Sequence, residues 1–157
     1  VRSFLVFSEL DVDRAYLYFF DDNDEPGLHA SSGITRKFEP KFSYWAMKHL
    51  YGTLGEYRFS KAIRKAAGVY VYEYVRGDND KDRIWVIWSP TGSGREEITT
   101  IKFPGEVVKA ERMPLADGPA EQVDVNNLKV TESPVYVWLT VSETRSSQPA
   151  EGETQND

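Results

Sequence analysis

The first candidates for chemistry in this sequence are two adjacent carboxylates near the N-terminus. Asp21 and Asp22 follow "RAYLYFF", a run over residues 14–20 that is apolar on both faces and therefore predicts a short strand of a parallel sheet. The carboxyl ends of parallel strands are where α/β barrels hold their active sites. Phe19, Phe20, Asp21 and Asp22 are therefore the candidate substrate-binding residues.

A second candidate is a row of tyrosines in "VYVYEYV". Tyr70, Tyr72 and Tyr74 alternate with other residues, so a strand would place all three rings on one face. Aromatic residues make up 13% of the chain. Such rings stack on sugars, and they also pack in protein cores. The sequence leaves both interpretations open.

The sequence does not match the motifs of an EF-hand, of a His- or Cys-bound metal site, or of a serine nucleophile. An EF-hand loop starting at Asp22 would need Glu where Gly33 stands, and one starting at Asp78 would need Gly where Arg83 stands. A calcium site of another type stays open. The two histidines, His29 and His49, have no Cys or second His at ligand spacing, and no Gly-x-Ser-x-Gly sequence is present. We expect no metal and no cofactor.

Composition narrows the class of partner. The 157 residues carry a net charge of -6, which argues against nucleic acid, because phosphate binding requires clustered Lys and Arg. No apolar run approaches the roughly 18 residues that span a bilayer, so no membrane partner is expected. There is no cysteine and hence no disulfide framework. The length suits one domain plus a fragment of another.

The stretch "EPKFSYWAMKHLYGTLGEYRF", residues 39–59, predicts a helix. Pro40 suits the first helical position, and Gly55 suits the C-terminal cap. Its apolar residues cover an arc of roughly 240°, far wider than the stripe of an ordinary surface helix. Only three residues of this helix are expected to face water, namely Lys41, Lys48 and Gly52. The helix is therefore predicted to lie between two bodies.

From Tyr57 onward the pattern changes to eight short strands separated by turns, which predicts an antiparallel β-sandwich. In "RIWVIWS", Ile84, Val86 and Trp88 lie on one face, and Trp85 and Ile87 lie on the other. A strand that is apolar on both faces belongs to a sheet that packs against the helix and against a partner sheet. The predicted strands are "YRFSKAI", "VYVYEYV", "RIWVIWS", "EITTIKF", "EVVKAERM", "EQVDV", "LKVT" and "PVYVWLTV".

This order of elements resembles the C-terminal part of retaining glycoside hydrolases that have a (β/α)8 barrel and a trailing β-sandwich. In that family a helix of the type "G-x-x-KPAYYALK-x-L" follows the eighth strand, and Gly33 and residues 41–50 are similar to it, as is the final "SPVYV" strand. The resemblance covers residues 1–141. It implies a fold that is mainly β, an eight-stranded antiparallel sandwich preceded by the last helix-strand-helix piece of a barrel.

The resemblance also implies three segments and a role. Residues 1–56 are the barrel remnant, residues 57–141 are the sandwich, and residues 142–157, which have no apolar residue larger than Ala, are a disordered tail. The family's acid/base Glu and nucleophile Glu follow the fourth and seventh strands. Both would precede Val1, so no catalytic residue is expected within this chain.

The implied partners are therefore a poly- or oligosaccharide and the missing N-terminal barrel. Asp21 and Asp22 would bind sugar hydroxyls in the intact barrel, and the chain alone would be inactive. An agarase-like and a xylosidase-like parent are both open, and a bacterial, secreted or periplasmic protein is implied. The alternatives are an independent carbohydrate-binding module that uses Tyr70, Tyr72 and Tyr74 or exposed Trp side chains, and a structural domain without a ligand.

Overall fold

The computed structural model describes residues 1–23, 27, 30–79, 81–91 and 94–141. Within these residues, none of the helices is long and apolar enough to cross a membrane. The helices are α1 (Arg2–Glu9) and α2 (Phe42–Leu54). The strands are β1 (Thr35–Arg36), β2 (Glu39–Pro40), β3 (Tyr57–Lys65), β4 (Tyr70–Arg76), β5 (Asp82–Trp88), β6 (Glu97–Thr99), β7 (Glu106–Arg112), β8 (Glu121–Gln122), β9 (Leu128–Val130) and β10 (Val135–Thr140).

The main sheet has six antiparallel strands in the order β3-β4-β5-β10-β7-β8. Its central strands β4, β5 and β10 are rich in Val, Ile, Tyr and Trp, the residues that pack best on a pleated surface. β6 and β9 form a separate two-stranded sheet, and β1 and β2 form a short hairpin just before α2. The prediction of a mainly β, antiparallel fold is confirmed.

The main sheet is apolar on both faces. Ile84, Val86 and Trp88 pack with residues of α1 and α2 in one core cluster. Trp85 and Ile87 belong to a second cluster that also contains the side chains of β9. The predicted division of β5 between two faces is confirmed, because alternate residues of a strand point to opposite sides of the sheet.

Helix α2 begins later than predicted. Pro40 lies in β2, and the helix starts at Phe42 with Lys41 as its N-cap residue. Gly55 is the C-cap, as predicted, but in right-handed helical conformation, with its N–H donating to Tyr51 O. The three residues buried in this helix are Ala46, Met47 and Leu50. In the described structure the other residues of the wide apolar arc are half-buried or exposed.

The predicted parallel strand over residues 14–20 is wrong. This segment has no strand pairing, and only the next residue, Asp21, makes an isolated parallel bridge to Thr35. A strand forms only where a neighbouring strand satisfies its N–H and C=O groups. In the described structure Phe20 O accepts hydrogen bonds from the N–H groups of Ile34 and Thr35, but no strand forms within residues 14–20, so apolar composition alone does not make them a strand.

The eight strands predicted from Tyr57 onward are all present, but they divide unequally, with six in one sheet and two in the other. Helices α1 and α2 share a core cluster with the six-stranded sheet. The boundary between residues 1–56 and residues 57–141 therefore stays a prediction. Residues 142–157, the predicted tail, lie outside the described residues.

Candidate functional site

The carboxylate of Asp22 is buried among cationic and backbone donors. Lys41 donates from Nζ to Oδ1 at 2.9 Å and to Oδ2 at 3.2 Å, and the Gly33 N–H donates to Oδ1 at 2.9 Å. The Asp22 side chain is 4% exposed, whereas that of Lys41 is 33% exposed. Lys41, predicted to face water, instead joins Asp22 to the start of α2. This arrangement favours a positioning role for Asp22 over contact with a sugar hydroxyl.

Asp21 stabilises the β1–β2 hairpin. Its Oδ1 accepts hydrogen bonds from Thr35 Oγ1 at 2.7 Å and from the Phe38 N–H at 3.1 Å. The Thr35 bond is the largest cause that holds the pKa of Asp21 below its ordinary value. Lys37 and Phe38 are the two turn residues of this hairpin, and their φ values of 52° and 62° lie in the left-handed region that such bulky residues seldom adopt. Because Asp21 is only half-buried, it can still be approached from solvent.

The two phenylalanines before these carboxylates differ in exposure. Phe19 is half-buried and packs edge-on against Tyr18, with 4.5 Å between ring centroids, whereas Phe20 is exposed. The structure thus places Phe20 and Asp21 next to one another with solvent access. It brings the four predicted residues together on one short segment beside the β1–β2 hairpin.

Residues 16–20 and helix α2 carry exposed apolar side chains, most of them aromatic. Tyr51 of α2 shares a cleft with Tyr16, and Phe42 of α2 shares another with Leu17. Tyr16 is 78% exposed, Tyr18 87% and Phe42 72%. We name this set the exposed aromatic group; its members are Tyr16, Leu17, Tyr18, Phe20, Phe42 and Tyr51. Phe42 and Tyr51 are nine residues apart and therefore lie on opposite sides of α2, so the group borders two clefts.

The tyrosines of β4 lie under α1. Tyr72 and Tyr74 are 0% and 3% exposed, and their hydroxyls contact Glu9 and Ser8 of α1. Tyr70 is half-buried, stacked on Tyr72 and edge-on to Trp88. Tyr72 and Tyr74 therefore present no open ring face for a sugar, and the packing interpretation fits them. They belong to the core cluster on the helix side, away from the segment that holds Asp21.

A cleft not foreseen from the sequence lies between α2, β7, β10 and the turn at residues 114–118. Its volume is about 470 Å³. Helix α2 contributes a stripe at the spacing i, i+3, i+4, i+7, formed by Trp45, Lys48, His49 and Gly52. This spacing is visible in the sequence, but the sequence predicts that Lys48 and Gly52 face water. Its strand side is formed by Lys109, Glu111 and Trp138.

Each indole of this cleft is accompanied by a lysine. Lys48 Nζ lies 5.0 Å from the centre of the Trp45 ring, and Lys109 Nζ lies 4.0 Å from that of Trp138. The second pair follows from the sheet register, because Lys109 and Trp138 are direct cross-strand partners. Such cation–π contacts restrict the rings and keep the ammonium groups at the cleft. Both indoles remain half-buried rather than buried.

His49 is the ionisable group on the floor of the cleft. Its Nε2 lies 3.8 Å from Glu111 Oε2, and its buried Nδ1 has no hydrogen-bond partner among the described residues. Burial lowers the pKa of His49 more than the neighbouring Glu111 carboxylate raises it, so the ring is neutral at neutral pH. A buried polar atom without a partner costs about 1–3 kcal/mol.

Glu111 remains ionised beside this histidine. Burial acts to raise its pKa, but hydrogen bonds from Gln122 at 3.0 Å and Lys109 at 3.2 Å outweigh burial and lower it. Within the described ranges, no group of three or more His, Cys, Asp and Glu side chains could hold a metal ion. His29, the other histidine, lies outside those ranges.

Comparison with known proteins gives a likeness of fold. No family model matches the chain, and no curated protein matches it. Among solved structures, it is similar to a family 39 glycoside hydrolase from the gut symbiont Bacteroides cellulosilyticus, with a TM-score of 0.64 and 20% sequence identity over 88% of this chain. The chain spans 29% of that protein's length. At this identity the likeness shows that the chain shares the fold of part of a glycoside hydrolase.

Proposed function

We propose that this chain is the C-terminal part of a polysaccharide-degrading glycoside hydrolase, in which the antiparallel sheets support a catalytic (β/α)8 barrel. The observation that carries the proposal is the exposed aromatic group. Phe42, Tyr51 and residues 16–20 expose large apolar side chains, which border two clefts beside α2. Exposed apolar side chains in this number fit contact with a second body, and the barrel of such an enzyme is a body of suitable size and chemistry.

The fold likeness supports the same proposal. A structure that spans 29% of a family 39 glycoside hydrolase leaves most of such an enzyme to other parts of the protein. Double displacement needs one carboxylate to attack the anomeric carbon and another to protonate the leaving oxygen, held about 5 Å apart. Asp21 and Asp22 are adjacent in the chain, and both are engaged by residues 33–41. They do not form such a pair, so the chain alone is proposed to be inactive.

In the intact protein we assign different roles to these residues. Asp21, Phe19 and Phe20 would lie at the substrate side of the barrel, with Asp21 accepting hydrogen bonds from sugar hydroxyls and the rings forming an apolar floor. Asp22 would position this segment through Lys41 and the Gly33 N–H. The polysaccharide stays open between agar-type and xylan-type chains.

The first experiment is an activity assay on the purified chain, with aryl glycosides and with agar- and xylan-type oligosaccharides. The matched control is the double variant Asp21→Asn, Asp22→Asn. We expect no turnover above background for either protein, because a second catalytic carboxylate is missing. Turnover that disappears in the double variant would show a complete site within this chain and refute the proposal.

The second experiment is native-state hydrogen exchange. Residues 14–18 should be far less protected than residues 83–89, because the former do not belong to a strand and the latter form the centre of the main sheet. Equal protection of the two segments would contradict the assignment of residues 14–20 to an interface with a separate barrel.

A further inference from the structure

We propose that the cleft formed by α2, β7, β10 and the turn at residues 114–118 binds a pyranose unit of a neutral saccharide. The site would hold the polysaccharide at a distance from the chemistry, and in this respect the inference rests on the proposed function. The cleft volume of about 470 Å³ lies in the range of small-ligand sites, about 300–1,000 Å³.

The charges that line the cleft favour a neutral ligand. Lys48 and Lys109 are balanced by Glu111 and Asp117, and His49 is neutral because burial lowers its pKa. Nucleotides and sulfated or uronic sugars carry negative charge that this balanced set does not offset. A sugar ring, which carries many hydroxyls and no charge, suits the alternation of carboxylates, ammonium groups and indoles.

The hydrogen-bonding groups of the cleft match hydroxyls. Since His49 Nε2 faces the Glu111 carboxylate at 3.8 Å, the proton of the neutral ring lies on Nε2, and Nδ1 is left as an acceptor. Nδ1 has no partner among the described residues, and neither does the hydroxyl of Tyr136, whose ring lies 4.9 Å from that of His49. Both atoms are buried from solvent, so a sugar in the cleft would instead meet the Glu111 carboxylate as an acceptor and the Lys48 and Lys109 ammonium groups as donors.

The indoles supply the apolar surface that a sugar requires. Trp45 and Trp138 come from opposite sides of the cleft, one from α2 and one from β10, and both are half-buried. The C–H groups of a pyranose pack against aromatic rings, so two indoles at one cleft can contact a sugar from two sides. The remaining tryptophans, Trp85 and Trp88, are buried in the core clusters and can serve as internal references.

The test is a titration of the whole chain with xylan-, cellulose- and agar-type hexasaccharides, observed through the indole N–H signals of the tryptophans in NMR spectra. Saturable shifts of the Trp45 and Trp138 signals are expected with at least one neutral saccharide, and the Trp85 and Trp88 signals should stay in place. Oligogalacturonate is the acidic comparison. If none of the neutral saccharides shifts the cleft signals, or if only oligogalacturonate does, the proposal is wrong.

A blocking variant separates the cleft from other surfaces. A Cβ at Gly52 would meet no atom within 4 Å, and Gly52 lines the cleft, so Gly52→Gln is expected to narrow the cleft, and glutamine suits a helix better than glycine. The affinity of the Gly52→Gln variant for the neutral saccharide should be at least tenfold lower than that of the parent chain. Ser43→Gln, at an exposed position of α2 outside the cleft, should bind the saccharide as the parent does. Equal binding by Gly52→Gln and the parent would overturn the proposal. Because binding is measured without turnover, failure here is distinct from failure of the hydrolase proposal.

Discussion

Replacement of Asp22 should destabilise the chain by an amount that its contacts determine. The carboxylate accepts two hydrogen bonds from the Lys41 ammonium and one from the Gly33 N–H. A hydrogen bond to a charged group contributes about 1.5–3 kcal/mol, and solvent around the partly exposed Lys41 reduces its share. We expect Asp22→Asn to lower the free energy of unfolding by about 1–2 kcal/mol, because the amide oxygen still accepts from Gly33. Asp22→Ala, which leaves that N–H without an acceptor, should cost about 2–3 kcal/mol.

The assay is urea-induced unfolding followed by tryptophan fluorescence, together with the exchange rate of the Gly33 amide. The control is Asp13→Asn at an exposed position, which should change the unfolding free energy by less than about 0.5 kcal/mol. The Gly33 amide should exchange faster in Asp22→Ala than in Asp22→Asn. If both Asp22 variants unfold like the parent and the Gly33 exchange rate is unchanged, Asp22 does not position the loop, and its carboxylate is available to a substrate.

Three further perturbations follow from the contacts of other residues. The folded-state pKa of His49 lies below the unfolded value of about 6.5, so the folded chain should lose stability as the pH falls from about 6.5 through the folded-state pKa. His49→Phe should remove this part of the loss, as measured by urea unfolding midpoints between pH 7.5 and pH 5.5. Glu73→Ala should lower the free energy of unfolding by about 2–3 kcal/mol, because the buried carboxylate accepts a hydrogen bond from Trp85 Nε1 at 3.0 Å. Glu73→Gln keeps an acceptor and should lower it by less, and an equal loss in the two variants would contradict this reasoning. Phe42→Ser and Tyr51→Ser should each cost less than about 0.5 kcal/mol in the isolated chain, and a loss above about 1 kcal/mol would show that these rings are covered.

The sheet could be predicted from the sequence because its signals are local. The alternation of apolar residues in "RIWVIWS" assigns Ile84 and Trp85 to opposite faces, and the two core clusters contain them as predicted. The turns between strands carry Gly, Pro and Asn, which mark chain reversals without reference to the rest of the fold. The alternation of apolar residues and the residue types of the turns therefore predict all eight strands from Tyr57 onward, but they do not predict how the strands divide between the two sheets.

The site could be predicted only in part, because it depends on contacts between distant residues. The helical periodicity predicts that Lys41 faces water, but its ammonium group donates a hydrogen bond to the carboxylate of Asp22, which precedes it in the chain. Residues 14–20 have the composition of a strand, yet pairing depends on a neighbour that composition does not reveal. The cleft joins Trp45 of α2 to Trp138 of β10, and only the fold brings these two rings to the same place.

The coding sequence upstream of Val1 tests the central claim most directly. If the chain is the C-terminal part of a glycoside hydrolase, this sequence continues the open reading frame and encodes further βα units, with a Glu after the fourth strand and another after the seventh. In the proposed enzyme these two residues would supply the acid/base and the nucleophile. An upstream frame that encodes an unrelated domain, or a stop codon followed by a start site immediately before Val1, would contradict the account.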